Sequence, residues 1–333
     1  PLSNEDSGEP VWLRSNDLMH PKFCGGRLRE PGAMPSLKRF PLEPLGLKVP
    51  AHWEFLLPCE EAERKKVGLL RERLSKVQGA KDPVTVLRFL RARQGRIDEA
   101  VEMYIKAMRW RESSLERGFR TNTEDDFLHR RLDSYWSPNA LLGRDRDGDL
   151  VYWNRLALGS MEFLADVPSD FLAEHEVYQI TRVMQAMEEE SKMVSRPVMY
   201  MTVVVDLAGM GVQFLNLKAL RKYKLCVRIL EDNYPELVKR IIVVRAPSLA
   251  YTVWNMASAF FDEGTRNKIQ IVDESRTQKA LFEFIDPKWV PEALGGTHRI
   301  GDSRWCEPII PSPSGPPPAD LLREIKAIWE SDA

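Results

Sequence analysis

From Glu60 onward, apolar residues recur every three or four positions. "EEAERKKVGLLRERLSKV" carries Val67, Leu70, Leu74 and Val77 at helical spacing. A break at Lys81-Asp82-Pro83 follows, where Asp82 suits an N-cap and Pro83 a first helical turn. "VTVLRFLRAR" then resumes the period with Val84, Leu87 and Leu90, Gly95 interrupts it, and "IDEAVEMYIKAMRWRE" continues with Ile97, Val101, Tyr104, Ile105 and Met108. Three short amphipathic helices in a row predict a small helical bundle.

After residue 120 the period shifts. "DGDLVYWNR" reads as a strand opened by an Asp-Gly turn, and a long helix follows from about Ser169 through "FLAEHEVYQITRVMQAMEEESKM". "RPVMYMTVVVD", "KRIIVVRAP" and "KIQIVD" are nearly unbroken Val/Ile runs. The helical segments "LKALRKYKLCVRILEDNYPEL" and "SLAYTVWNMASAFFDEGTR" separate them. Strands that alternate with helices, and that are apolar on both faces, predict an α/β fold with a mainly parallel sheet covered by helices.

The flanks differ. Residues 1–58 are rich in proline without a hydrophobic period, the pattern of an extended arm that lies on its own domain or is held by a partner. The tail, 301–333, is a proline-rich spacer ending in a short amphipathic helix with Leu321, Leu322, Ile325, Ile328 and Trp329. The predicted division is therefore an arm at 1–58, a helical bundle at 59–118, an α/β lobe at 119–300 and the tail. No internal repeat is visible.

Composition adds bounds. In 333 residues, 48 Lys plus Arg balance 49 Asp plus Glu, so no global field recruits nucleic acid, and any basic site is local. Cys24, Cys59, Cys226 and Cys306 form no CxxC pair and read as reduced thiols; no metal or cofactor is expected. No apolar run approaches the roughly 18 residues of a membrane span. The expected location is the cytoplasm or an organelle interior, with peripheral membrane contact.

A scan for catalytic signatures finds no GxSxG elbow, no HExxH and no phosphate loop, and no nucleophile–base pair, so an enzyme is not expected. "DLAGMGVQF" lacks the third glycine of a dinucleotide fingerprint, at Phe214. "GRDRDGDLV" sets Asp145, Asp147 and Asp149 at calcium-loop spacing, but its glycine comes one residue early and the closing Glu is absent, which favours a hairpin turn. His175 shares a helix face with Phe171, Tyr178 and Arg182 and reads as a core or pocket histidine.

The ordered series "VLRFLRAR", "DLVYW", "VVVDLAGM", "NYPEL", "IIVVRAPSLAYTVW", "FFDEGTRNKIQIV" and "VPEALGGTH" resembles the CRAL-TRIO lipid-binding family from about Glu61 to about His298. The likeness is strongest to its phosphatidylinositol transfer subclass. It implies an N-terminal helical bundle followed by an α/β lobe that encloses an apolar lipid cavity behind a movable gate helix. The implied gate is about Leu249 to Phe261, with Leu249, Tyr251, Val253, Trp254, Met256, Phe260 and Phe261. Arg93, Glu236, Thr265 and Lys268 match the subclass's headgroup positions. Tyr178, Val203, Val205, Ile242, Val244, Trp254 and Phe260 are the expected cavity lining. No GOLD-type β domain is expected after His298.

These residue types suit the task. A phosphodiester taken out of water needs cations and donors, which Arg93, Lys268 and the Thr265 hydroxyl supply, while Glu236 would hold the Lys268 ammonium. At roughly 0.8 kcal/mol per CH₂, hiding two lipid tails involves more than about 10 kcal/mol, so the chamber must be apolar and closed. Two positions depart from the subclass. Gln94 follows Arg93 where relatives often carry a further cation, and Met201 and Val203 stand where choline-lipid exchangers place hydroxyls, with Thr202 on the other strand face.

The expected function is a lipid-binding or transfer protein that holds one phospholipid, phosphatidylinositol in the first reading, and exchanges or presents it at membranes. One alternative is a carrier of a retinoid, tocopherol or carotenoid. Another is an accessory subunit docked into a larger assembly through residues 1–58 or the terminal helix.

Overall fold

The computed structural model describes residues 56–77, 79, 82–116, 119, 127–299 and 321–326. The predicted arm, apart from residues 56–58, lies outside them. So do the proline-rich spacer, Trp329, Cys24 and Cys306.

Helix α1 (Glu61–Arg73), α2 (Pro83–Ala92) and α3 (Ile97–Glu116) form the bundle. The Asp82 carboxylate caps α2 by accepting from the Thr85 N–H at 2.9 Å. Phe89 of α2 meets Tyr104 of α3 edge to face at 5.1 Å, and Val67 and Leu70 of α1 are fully buried beside them. The bundle is fastened to the rest by arginines. Arg88, buried on α2, donates to the Met199 carbonyl at 2.5 Å, and Arg111 of α3 donates to the Asn233 carbonyl at 2.6 Å while lying over the Tyr234 ring.

The lobe runs α4 (Phe127–Trp136), β1 (Asn139–Arg144), β2 (Leu150–Asn154), α5 (Met161–Asp166), α6 (Ser169–Val194), β3 (Met201–Asp206), α7 (Leu217–Asn233), β4 (Val238–Val244), α8 (Ser248–Ala257), α9 (Glu263–Asn267), β5 (Ile269–Ile271) and α10 (Glu274–Phe284). The five strands lie in the order β1-β2-β3-β4-β5, with β1 antiparallel to β2 and the rest parallel. Each parallel crossover steps to the next strand in the same direction. Right-handed crossovers then put α6, α7 and α8 on one face of the sheet.

The other face is packed solid. Val204, Ile242 and Val244 are at most 1% exposed, in one cluster with Leu281 of α10 and Ile285. Thr202, on the same face, donates to Asp145 Oδ2 at 2.7 Å. The Asp-rich turn is a hairpin, as its sequence favours. Asp145 Oδ1 accepts the N–H groups of Asp147 and Asp149 at 3.0 Å each. Lys239 Nζ stands 2.9, 2.8 and 2.7 Å from the carboxylates of Asp145, Asp147 and Asp149, where a cation would sit in a calcium loop.

A helical stretch at 321–326 returns to the lobe. Leu321 and Ile325 are fully buried in a cluster with Leu132 and Trp136 of α4, and Glu324 pairs with Arg131 at 2.6 Å.

Candidate functional site

Between the sheet and the helices α6, α7 and α8 lies a cavity of about 660 Å³. Its size is within the roughly 300–1,000 Å³ of ordinary small-ligand sites. Its floor is the helix-facing side of the strands, with Met201, Val203, Val205, Ile241 and Val243. Ile180 and Val183 of α6, Val227 and Leu230 of α7, and Val253 and Trp254 of α8 supply further apolar wall.

Register explains which strand residues take part. In the parallel ladder Val203 stands beside Ile241 and Val205 beside Val243, so these four share a face, while Ile242 pairs with Val204 and Val244 with Asp206 on the opposite one. Ile242 and Val244 therefore belong to the packed core beneath the sheet and not to the cavity lining expected from the sequence. The expected set takes one face of β3 and the opposite face of β4. A slip of register between Met201 and Thr202, which leaves Met201 beside Val238 and Thr202 beside Arg240, made that parity hard to count.

Two other expected lining residues are also absent from the wall. Tyr178 is 1% exposed and stacks on His129 at 4.4 Å, outside the cavity lining. Phe260 turns aside into the 3₁₀ turn Ser258–Phe260, under the Lys224 ammonium at 5.4 Å. Of the expected gate residues, Val253, Trp254 and Phe261 face inward. Leu249 packs against the lobe core, and Tyr251 and Met256 point outward, 41% and 38% exposed. An amphipathic helix divides its apolar residues this way when both its faces meet something apolar.

The four charged or hydroxylated positions singled out in the sequence all border the cavity: Arg93, Glu236, Thr265 and Lys268. Lys268 Nζ donates to Glu236 Oε2 at 3.0 Å, with both side chains about a quarter exposed. The Lys268 backbone carbonyl accepts from Ile241, which ties the start of β5 to β4. Arg93 Nη1 donates to the neighbouring Ala92 carbonyl at 2.9 Å, and no carboxylate of the described residues pairs with it. Glu236 and Gln94, which flank this rim, are both non-glycine residues with positive φ, 55° and 53°. Such backbone is costly and is characteristic of sites where side-chain aim matters.

Sequence reasoning missed the acid beside them. Glu231 on α7 lines the cavity, accepts the Asp262 N–H at 3.0 Å and meets the Thr265 hydroxyl; burial raises its pKa. Asp262 itself caps α9 by accepting the Thr265 N–H at 2.6 Å. The lining near the mouth carries Glu231, Glu236, Asp262 and Glu263 against Arg91, Arg93 and Lys268.

The deeper end is polar in another way. His175 is buried and lines the cavity, with Nε2 at 3.1 Å from Asp133 Oδ1 and Nδ1 at 3.2 Å from His129 Nδ1; His129 Nε2 in turn faces Glu174 at 3.3 Å. Asp133 also accepts from Asn139 at 3.1 Å and from Gln179. Tyr152, Glu176 and Tyr223 complete this end of the wall. Glu176 has a sequence signal: with Gln179 it takes positions of the buried α6 stripe between Leu172 and Val183, where an apolar residue belongs.

Among known proteins, residues 137–296 match the CRAL/TRIO domain. Protein real-time of Aedes aegypti is 30% identical over 227 residues, 65% of this chain and 33% of that protein. Protein real-time of Anopheles gambiae is 28% identical over 265 residues, 78% of this chain and 37% of that protein. Phosphatidylinositol/phosphatidylcholine transfer protein SFH12 of Arabidopsis thaliana is 28% identical over 225 residues, 66% of this chain and 40% of that protein. The chain thus spans about a third to two fifths of these relatives. Among solved structures, the crystal structure of Sfh5 superimposes with a TM-score of 0.52 at 17% identity, over 82% of this chain and 99% of that one, which is a likeness of fold. The mostly parallel five-stranded sheet and the greater part of the cavity wall lie inside residues 137–296, the span that is similar to the CRAL/TRIO domain.

Proposed function

We propose that the chain binds one lipid in this cavity and carries or presents it at membranes, with phosphatidylinositol as the ligand and its headgroup at Arg93, Glu236, Thr265 and Lys268. The observation that carries this reading is the juxtaposition of a largely apolar chamber with the Lys268–Glu236 pair on its rim. The name of the Arabidopsis thaliana relative SFH12, a phosphatidylinositol/phosphatidylcholine transfer protein, supports the ligand class.

In this reading the Arg93 guanidinium, which no described carboxylate claims, takes the phosphodiester together with Lys268. Glu236 holds the ammonium in place and accepts an inositol hydroxyl. Thr265 has one proton to donate. It donates to a phosphate oxygen when Glu231 is protonated, a state that burial favours, and otherwise to Glu231. In this reading the site binds its ligand and leaves it chemically unchanged.

Loading requires the gate to move. Tyr251 and Met256 of α8 point outward, and the 3₁₀ turn Val212–Leu215, which α8 touches, exposes Val212 and Leu215, followed by the exposed Leu217 at the start of α7. This is the face we assign to the bilayer. Among the described residues no helix is long and apolar enough to cross a membrane.

The test is extraction of labelled phosphatidylinositol from vesicles by the purified chain. Uptake is expected, falling about tenfold in Lys268→Ala and in Glu236→Ala, the equivalent of about 1.4 kcal/mol. Undiminished uptake by both variants would remove the headgroup assignment.

A further inference from the structure

The bundle meets the lobe across a seam that holds positive charge without a matching negative one. Arg88 of α2 and Arg111 of α3 are buried there, 4% and 6% exposed. Each gives one nitrogen to a backbone carbonyl, Arg88 to Met199 and Arg111 to Asn233. Among the described residues no carboxylate forms an ion pair with either guanidinium, and Asp82, Asp149 and Glu236 act on Arg88 only from a distance. Burial lowers the Arg88 pKa to about 10, which leaves the guanidinium charged at neutral pH.

Both arginines line a second, much smaller cavity of about 10 Å³, with Tyr234, Pro235 and Leu237 also in its wall. Every residue of that wall is buried. The volume admits one particle of about the size of a water molecule. Four polar atoms of the wall residues are shut from solvent and have no hydrogen-bond partner: Arg88 Nε, Arg111 Nε, Arg111 Nη1 and the Tyr234 hydroxyl. The Arg111 guanidinium lies over the Tyr234 ring, 4.4 Å from its centre, in place of a hydrogen bond to that hydroxyl.

All four atoms can donate. A water in their midst would have two protons of its own to place, beside an Asn233 carbonyl that already receives Arg111. A carboxylate, phosphate or sulfate is too large for the space. A monoatomic anion accepts from every donor, has no proton to place, and supplies the charge that two buried guanidiniums otherwise lack.

The geometry points to a binding site for one halide-sized anion at the seam of bundle and lobe, held by Arg88, Arg111 and the Tyr234 hydroxyl. The site is separate from the lipid reading and needs no lipid. Tyr234, Pro235 and Leu237 line both cavities and so form the partition between them. The anion braces that partition from behind, just beside Glu236, whose φ is 55°.

The experiment melts the full chain in sodium bromide and in sodium gluconate at equal ionic strength, gluconate being too bulky to enter. The melting temperature should rise with bromide and level off a few degrees higher. Screening depends on ionic strength and does not separate the two salts. Tyr234→Phe keeps the ring under Arg111 and should raise the bromide midpoint about tenfold, the loss of one hydrogen bond to a charged group. Arg111→Met should abolish the bromide response, while Arg111→Lys, which keeps a charge, should retain part of it and controls for folding. Crystals of the wild-type chain grown in bromide should show an anomalous peak in contact with both guanidiniums. A water without anomalous signal in that cavity, equal melting curves in the two salts, or a bromide response unchanged in both Tyr234→Phe and Arg111→Met would each overturn the proposal. Lipid uptake enters none of these readouts, so the outcome is distinct from that of the extraction test.

Discussion

The two faces of the central sheet are made of the same residues and do opposite things. Val204, Ile242 and Val244 interlock with α10 and leave no room, whereas Val203, Val205, Ile241 and Val243, each one position away, look into a chamber. Hydrophobicity therefore does not mark the binding face. What marks it is the absence of a partner layer at contact distance, and the polar residues placed where that layer should be.

The comparison predicts its largest effect on the packed face. Ile242→Ala should cost about 3–4 kcal/mol of unfolding free energy, since it opens a void in a filled core, and Ile241→Ala less than about 2 kcal/mol, since its neighbours on the cavity side are already missing. Denaturant titration of the two variants checks this, and equal losses would mean the chamber is collapsed in solution. Ile241→Trp sharpens the contrast by adding bulk where space exists. It should at least halve the amount of co-purified lipid with stability changed by less than about 1 kcal/mol, whereas Val204→Trp should cost about 3 kcal/mol or more.

A third prediction concerns pH. The Glu176 pKa is raised in the folded state, so the folded chain holds this proton more tightly than the unfolded one, and stability falls as pH rises from the unfolded carboxyl range through the folded value. Glu176→Gln removes that loss. Its melting temperature should match the wild type near pH 4 and exceed it by a few degrees at pH 7; an advantage independent of pH would show that Glu176 does not titrate in that window. The smallest effect is expected at the rim, where Thr265→Val should weaken phosphatidylinositol uptake about threefold, because the hydroxyl divides its one proton between ligand and Glu231.

How much of this was legible in the chain follows from range. The bundle helices, the helices α6, α7 and α8 and the four parallel strands β2–β5 show in the local period, and Asp82 and Pro83 mark the start of α2. The strand β1, with its short NALLGR, and the helices α4, α5 and α10 carried too weak a pattern to stand out. At the rim, Arg93, Glu236, Thr265 and Lys268 were found through their motifs, and the coordinates gather them on one border. The floor was half misread. Choosing between Ile241 and Ile242 requires the alignment of β4 against β3, a long-range fact altered by one slip near Met201. Tyr152 and Tyr223 look like any core aromatic until the space before them is seen.

The helix at 321–326 gives the deeper end of the cavity an unexpected dependency. Its two fully buried side chains prop α4 from behind, and Trp136, in the same cluster, is part of the chamber wall. A protease nick shortly before residue 321 would weaken that prop without touching the mouth. Cargo would then leak from the rear of the vessel, and the chain's last segment would govern how long a passenger stays aboard.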